Sequence, residues 1–233
     1  MQSNKDLNVS FFGNNQQYQN VVNQFDSYRF IAQEISKQIG SAKTILDMGN
    51  GGFINYAIPP STRLIRAIDI CIKRQFKKKV GKTEIIFQNG DVLSYQDANK
   101  YDLVLMQNFL HHVVGETTTE NYRNLEICLG KTIRLLKKNG RLVIMESVVP
   151  RWLETIEKFT YPLTKGIIPI IFHHPATFQY SQQTIVSALS TYQGRLHTQL
   201  IKRGKFFLIY GKKIPTFLAP VQVASFTVEN PRH

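Results

Sequence analysis

The run Ile45-Leu-Asp-Met-Gly-Asn-Gly-Gly-Phe53 constrains this chain more than any other feature, because a buried apolar segment breaks there into a glycine turn. The apolar run Thr44 to Leu46 reads as a strand inside a sheet. Gly49 and Gly51 let the backbone turn where a Cβ would obstruct it. Asp69 follows Gly49 by 20 residues, at the end of a second apolar run. A carboxylate at the tip of the neighbouring strand can accept both hydroxyls of a ribose, so the pattern predicts an α/β sheet that holds an adenosine.

Which adenosine ligand is decided by what is missing. A dinucleotide fingerprint starting at Gly49 would need its third glycine at Ile54, which disfavours NAD. Two Gly-Lys-Thr triplets, at 81–83 and 130–132, lack the upstream glycine of a phosphate loop; Phe76 and Leu125 stand there instead.

Further segments follow in order: Ala67-Ile-Asp-Ile70, Asn89-Gly-Asp-Val92, Tyr101 through Gln107-Asn-Phe-Leu-His-His-Val113, and Leu136 through Glu146. With the glycine turn, these resemble the class I S-adenosylmethionine-dependent methyltransferases of the small-molecule type, over residues from about Tyr18 to Lys213. The resemblance implies an α/β, Rossmann-like seven-stranded sheet, mostly parallel with an antiparallel last strand, helices on both faces and a lid insertion. It implies S-adenosyl-L-methionine as cofactor, held by Asp47, Gly49, Gly51, Asp69, Ile70, Asp91, Val92 and Asn108.

The chain also departs from that family. Phe53 stands where a further glycine is usual, and the expectation is a ring that narrows the cofactor pocket. Pro59 and Pro60 cut short the helix that should follow, because a helix interior does not tolerate proline.

At 233 residues the chain fits one α/β domain with a sizeable core. No run is long and apolar enough for a membrane span and the N-terminal residues do not read as a signal peptide, so a cytoplasmic protein is expected. Cys71 and Cys128 read as buried thiols, and no metal-ligand spacing is seen. The net charge is +13, with eight basic residues between Arg63 and Lys82 against Asp69 alone. The plain reading of segment 63–82 is a solvated helix face; contact with RNA, anionic lipid or a phosphorylated substrate is the other.

Three parts are expected: a helical cap over 1–40, a methyltransferase core over 41–213, and a tail over 214–233. Apolar positions at helical spacing predict one helix or two from Gln17 to Gly40, and another from Tyr122 to Leu136. Leu196 to Ile201 and Phe206 to Tyr210 read as an antiparallel hairpin. In the tail, Pro220 to Val228 alternates well enough for an added strand, with pairing to a partner chain, and so a homodimer, left open; three prolines nearby make disorder the equal alternative.

The lid insertion at about 148–180 is rich in aromatic and branched residues, among them Trp152, Phe159, Tyr161, Phe172 and Phe178. It is expected either to roof an apolar substrate pocket, or to pack the helix back onto the sheet or form a dimer face. His173, His174, Phe172, Tyr161 and Glu146 are the candidate substrate-binding residues.

In-line methyl transfer needs alignment and water exclusion, plus a base only when the acceptor carries a proton. His111 and His112 leave the fourth strand of the motif series and are the candidate catalytic residues, His111 preferred. The leading expectation is methyl transfer to a small lipophilic or aromatic acceptor, most simply a hydroxyl oxygen. The alternatives are an RNA methyltransferase and a non-catalytic binding protein. Gln107-Asn-Phe-Leu110 lacks the Asn/Asp-Pro-Pro-aromatic motif of enzymes that methylate base amino groups.

Overall fold

The computed structural model describes residues 4–13, 26–172, 174–203, 206–209, 212–215 and 221–230. Helix α1 spans Asn4–Phe12 and α2 spans Asp26–Ile39. Strands β1 (Thr44–Met48), β2 (Leu64–Asp69), β3 (Phe76–Val80), β4 (Thr83–Asn89) and β5 (Tyr101–Gln107) follow. Then come α3 (Thr118–Arg134), β6 (Leu136–Val148), α4 (Arg151–Phe172) and α5 (Gln182–Ser190). The chain continues through β7 (Arg195–Arg203), β8 (Phe206–Ile209), β9 (Lys212–Pro215) and β10 (Gln222–Glu229).

Eight strands form one sheet in the order β3-β4-β2-β1-β5-β6-β10-β7. From β4 to β6 neighbours run parallel, whereas β10 is antiparallel to both β6 and β7. This is the expected Rossmann-like sheet with one strand more, β3, added antiparallel at the edge.

Strand periodicity places the two layers. Along β1, Leu46 and Met48 join the cluster containing Leu125, Leu129 and Ile185 of α3 and α5, while Ile45 joins Ile31, Ile35 and Ile39 of α2. Those three α2 isoleucines recur every fourth residue and are fully buried, each stabilising by roughly 1.5–3 kcal/mol. Gly40, with φ of +57°, ends α2 where the sequence places its stop. Residues 17–25 of the expected helix lie outside the described residues.

Helix α3 starts at a capping box. The Thr117 side chain accepts from Glu120 N–H, and the Glu120 carboxylate accepts from Thr117 N–H. After it, the expected turn at Lys137–Gly140 is a bulge inside β6. Pairing with β5 jumps from Tyr101↔Leu136 to Leu103↔Arg141, and Asn139 has φ of +61°.

Four expectations are corrected here. Segment 76–80 is an edge strand with every residue exposed, and not a helix face; Phe76 stacks on Phe87 with centroids 4.4 Å apart, which anchors it to β4. The expected hairpin of Leu196–Ile201 with Phe206–Tyr210 does not form. Arg195–Arg203 pairs instead with Gln222–Glu229, while Phe206–Ile209 pairs with Lys212–Pro215 in a separate ribbon. Residues 222–229 are therefore no tail but an interior strand, with Ala224, Phe226 and Val228 in the core. The connection after Gly51 makes no helix at all: Ile54, Tyr56 and Ile58 pack on the α2 side from irregular backbone that ends at Pro59 and Pro60.

Candidate active site

The carboxyl ends of β1, β2, β4 and β5 converge on one cleft, the place where open α/β sheets receive ligands. It is lined by Met48, Gly49 and Gly51 after β1, by Ile68, Asp69 and Ile70 at β2, and by Gly90 to Leu93 after β4. Asn108, Phe109 and His112 to Val114 line it from the β5 exit, and Asn8 and Phe12 of α1 complete it. All the residues expected to hold the cofactor are in this lining except Asp47.

The glycine turn is held by the strand beside it. Gly49 N–H donates to Ile68 O at 2.8 Å, and Gly51 N–H donates to Asp69 Oδ2 at 2.8 Å. The other oxygen of Asp69 accepts from Cys71 N–H at 2.8 Å. Each carboxylate oxygen keeps a further lone pair for a ligand hydroxyl. Gly49 has φ of +75°, and a Cβ there would run into the ring of Phe109. Phe109, not Phe53, is thus the aromatic ring at the turn; Phe53 is not among the lining residues.

Asp47 lies behind the turn, 2% exposed, and accepts from Tyr56 O–H at 2.8 Å. Burial pushes its carboxyl up to about 6, against the opposing hydrogen bonds of Tyr56 and Asn50. It shapes the turn from beneath. Asp91 makes the turn after β4, its Oδ1 accepting from Leu93 N–H at 3.0 Å, and Val92 is buried beside it.

Asn108 adopts φ of +46°, its N–H bonded to Met145 O at 2.7 Å. Asn108 Oδ1 and His112 Nδ1, both from lining residues, are buried with no hydrogen-bond partner among the described residues. Orphaned buried polar atoms are rare, and a polar ligand in the cleft would satisfy them.

The rings of the two adjacent histidines lie 4.1 Å apart, and of the two only His112 is in the cleft lining. His112 faces the cleft, its ring 4.8 Å from Phe12 and 5.8 Å from His174. Burial, then the neighbouring His111 and His174, hold it well below the usual imidazole range, so it is neutral at pH 7. His111 turns to Glu146: Nδ1 lies 2.6 Å from Oε1. Glu146 is fully buried, and its Oε2 accepts from Phe109 N–H at 3.0 Å and Leu110 N–H at 2.7 Å, while Oε1 accepts from Ser147 N–H at 2.9 Å. With both oxygens acting as acceptors, His111 Nδ1 is the donor. Glu146 is thus a clamp on the β5 exit and not a surface for substrate.

Tyr161 is likewise placed in the core: it is 1% exposed, donates to Gly115 O at 2.9 Å and packs edge-on to Phe178. Its polar end is satisfied internally. His174 adjoins the cleft cluster, its Nδ1 bonded to Pro175 O at 2.8 Å and its ring 4.7 Å from Phe11. His173 and the side chain of Phe172 lie outside the described residues.

The sequence reading missed Glu157, the carboxylate of α4 that faces His111. Burial raises it to about 7, opposed by Gln179 N–H and by His111. Glu154 and Glu157, three apart on a helix with a continuous apolar stripe, were the available signal. The expected apolar roof is not what α4 presents to the site. Glu154 anchors its inner face, accepting from Ser181 N–H at 3.1 Å and Thr184 O–H at 2.8 Å.

Both cysteines are free and buried, with the Cys128 thiol pushed up to about 12 by burial. Among the described residues, no three His, Cys, Asp or Glu side chains form a group that could hold a metal.

Residues 46–144 match a family described as a methyltransferase domain. No curated protein matches the chain in sequence. Its fold is similar to that of the N-methyltransferase NodS from Bradyrhizobium japonicum WM9 in complex with S-adenosyl-L-homocysteine. The TM-score is 0.51 at 13% identity, over 88% of this chain and 85% of that one. It is similar as well to PigF with SAH, with a TM-score of 0.57 at 14% identity, over 98% of this chain and 62% of that one. Human N-acetylserotonin methyltransferase in complex with SAM gives a TM-score of 0.51 at 15% identity, over 98% and 57%.

Proposed function

We infer, from a methyltransferase domain at residues 46–144 in the fold of the class I enzymes, that this chain is an S-adenosylmethionine-dependent methyltransferase. Its acceptor, on our reading, is a small lipophilic or aromatic molecule methylated at a hydroxyl oxygen. The observation that carries the second part is the His111–Glu146 pair at the exit of β5.

S-adenosylmethionine supplies the electrophilic methyl group when bound. Asp69 and Ile70 would hold its ribose, Asp91 and Val92 its adenine, and the turn at Gly49 and Gly51 its amino-acid part. The fit rests on the two orphaned polar atoms of the lining and on the carboxylate lone pairs of Asp69. His111 takes the acceptor proton at Nε2, because Glu146 fixes Nδ1 as the protonated nitrogen and stabilises the imidazolium that forms. Phe109, Phe12 and the neutral His112 exclude water from the cleft, which favours displacement at an unhydrated methyl group.

The test has two arms. Calorimetric titration with S-adenosylhomocysteine should show binding that Asp69→Ala weakens and that NADH does not compete away. With a lipophilic phenol or alcohol as acceptor, His111→Ala should lower kcat by about 10²–10⁴, leaving cofactor binding intact. Absence of cofactor binding refutes the enzyme; cofactor binding with activity indifferent to His111→Ala refutes the hydroxyl acceptor.

A further inference from the structure

Helix α4 presents its apolar side to water. Trp152, Ile156, Phe159, Leu163, Ile167 and Ile170 are between 39 and 78% exposed, and their spacing of three and four residues lines them along one face. At 1.5 Å per residue the stripe runs about 27 Å. The opposite face holds Glu154 and Tyr161, both buried and hydrogen-bonded into the protein, and the partly buried Glu157. An ordinary surface helix is arranged the other way round. An exposed stripe of this size marks an interaction surface.

Charge decides the occupant. Both acids of α4 point inward, so the charges at its rim are Arg151, Lys158 and Lys165, the last paired with Glu116 at 2.8 Å. The chain as a whole carries +13. A second copy would bring the same basic rim and the same net charge to a self-complementary face, which opposes pairing. An anionic lipid surface answers both the stripe and the rim. Proline at 162 and 169 provides no N–H for the carbonyls of Lys158 and Lys165, four residues earlier, so both withdrawn bonds fall at rim lysines, where headgroups and water supply donors.

We propose that α4 docks in the plane of an anionic membrane surface, its stripe at the acyl boundary and its basic rim among the headgroups. No helix among the described residues is long and apolar enough to cross a membrane, which fits a helix that lies on one. The docking stands independently of the methyl-transfer reading, since none of these residues lines the cleft.

The chain's single tryptophan, Trp152, sits in the stripe and reports on it directly. Intrinsic fluorescence is followed while the protein is titrated with equimolar phosphatidylglycerol and phosphatidylcholine vesicles, and with phosphatidylcholine alone. The anionic vesicles should shift Trp152 emission to the blue, brominated acyl chains should quench it, and raised salt should weaken binding. The doubly substituted Phe159→Ser, Leu163→Ser protein should partition at least about tenfold less, with unchanged thermal melting because both side chains are already exposed. Three results would overturn the proposal: no shift with anionic vesicles, a shift the double substitution leaves unchanged, or a dimer in sedimentation that the double substitution dissociates.

Discussion

Glu157 is held on α4 where its ionised form is disfavoured, and replacing it with glutamine should make the protein more stable in a way that depends on pH. Folding raises this carboxyl from 4.5 to about 7, chiefly by burial. Gln179 N–H and His111 oppose the rise, and Glu154 adds a little to it. A folded value above the unfolded one means that the contribution is fully present below about pH 4.5 and is lost as pH climbs through about 7. At about 1.4 kcal/mol per unit, the ionised side chain costs about 3 kcal/mol at pH 8. Glu157→Gln keeps an oxygen for Gln179 N–H, at 3.0 Å in the native protein, and removes the charge. For a chain of this length, its Tm at pH 8 should exceed the native one by roughly 6–12 °C, and the two should converge only below about pH 4.5. Scanning calorimetry across that range checks it. Asp47, raised to about 6, leaves a residual slope of the same sign in both proteins, so the quantity to read is their difference. An offset that stays constant with pH would falsify the reasoning, since it would come from altered packing and not from titration.

Gly49→Ala should cost roughly 2–5 kcal/mol in urea unfolding: about 1–2 for a Cβ at φ of +75°, the rest for collision with Phe109. Adding Phe109→Leu should return only the collision part; complete rescue would show that backbone conformation contributes nothing. Thr117→Ala removes the side-chain half of the α3 capping box and should cost about 1 kcal/mol, whereas Thr118→Ala, one residue inside the helix, should be close to neutral in the same assay.

The half of the sheet built from β1, β2, β4 and β5 was legible because each strand is a compact apolar run ending in a residue with a turn function: Gly49, Asp69, Asp91 and Asn108. The cleft follows from those four ends. Strand β3 was not legible, because Phe76-Lys-Lys-Lys-Val80 is exposed on both sides and its lysines carry no alternation to read. β10 read as an alternating segment, but its partner did not, since pairing depends on which neighbour is free in space and Phe206–Ile209 competed in sequence. Of the readings of the lid, the roof and the packing on the sheet failed on direction alone. Apolar spacing along α4 was visible, and the rule that such a stripe faces inward was applied where Glu154 and Tyr161 had taken the inner positions through specific hydrogen bonds. Glu146 was found as a residue but not in its role, because a clamp on three backbone amides exists only once β6 lies beside β5.

The place of β10 between β6 and β7 makes the order of synthesis and the order of assembly disagree. β7 emerges from the ribosome before β10, yet its sheet partner is β10, so until residues 222–229 arrive both β7 and the far edge of β6 carry unpaired backbone groups. The last strand in chain order is an interior one. Closure of this half of the sheet is therefore a late event over a loop of about 75 residues between β6 and β10, whose entropy must be overcome before any ladder bond forms. Through that interval the nascent chain displays two open sheet edges, and its exposure to edge-to-edge aggregation is set by how quickly residues 222–229 insert.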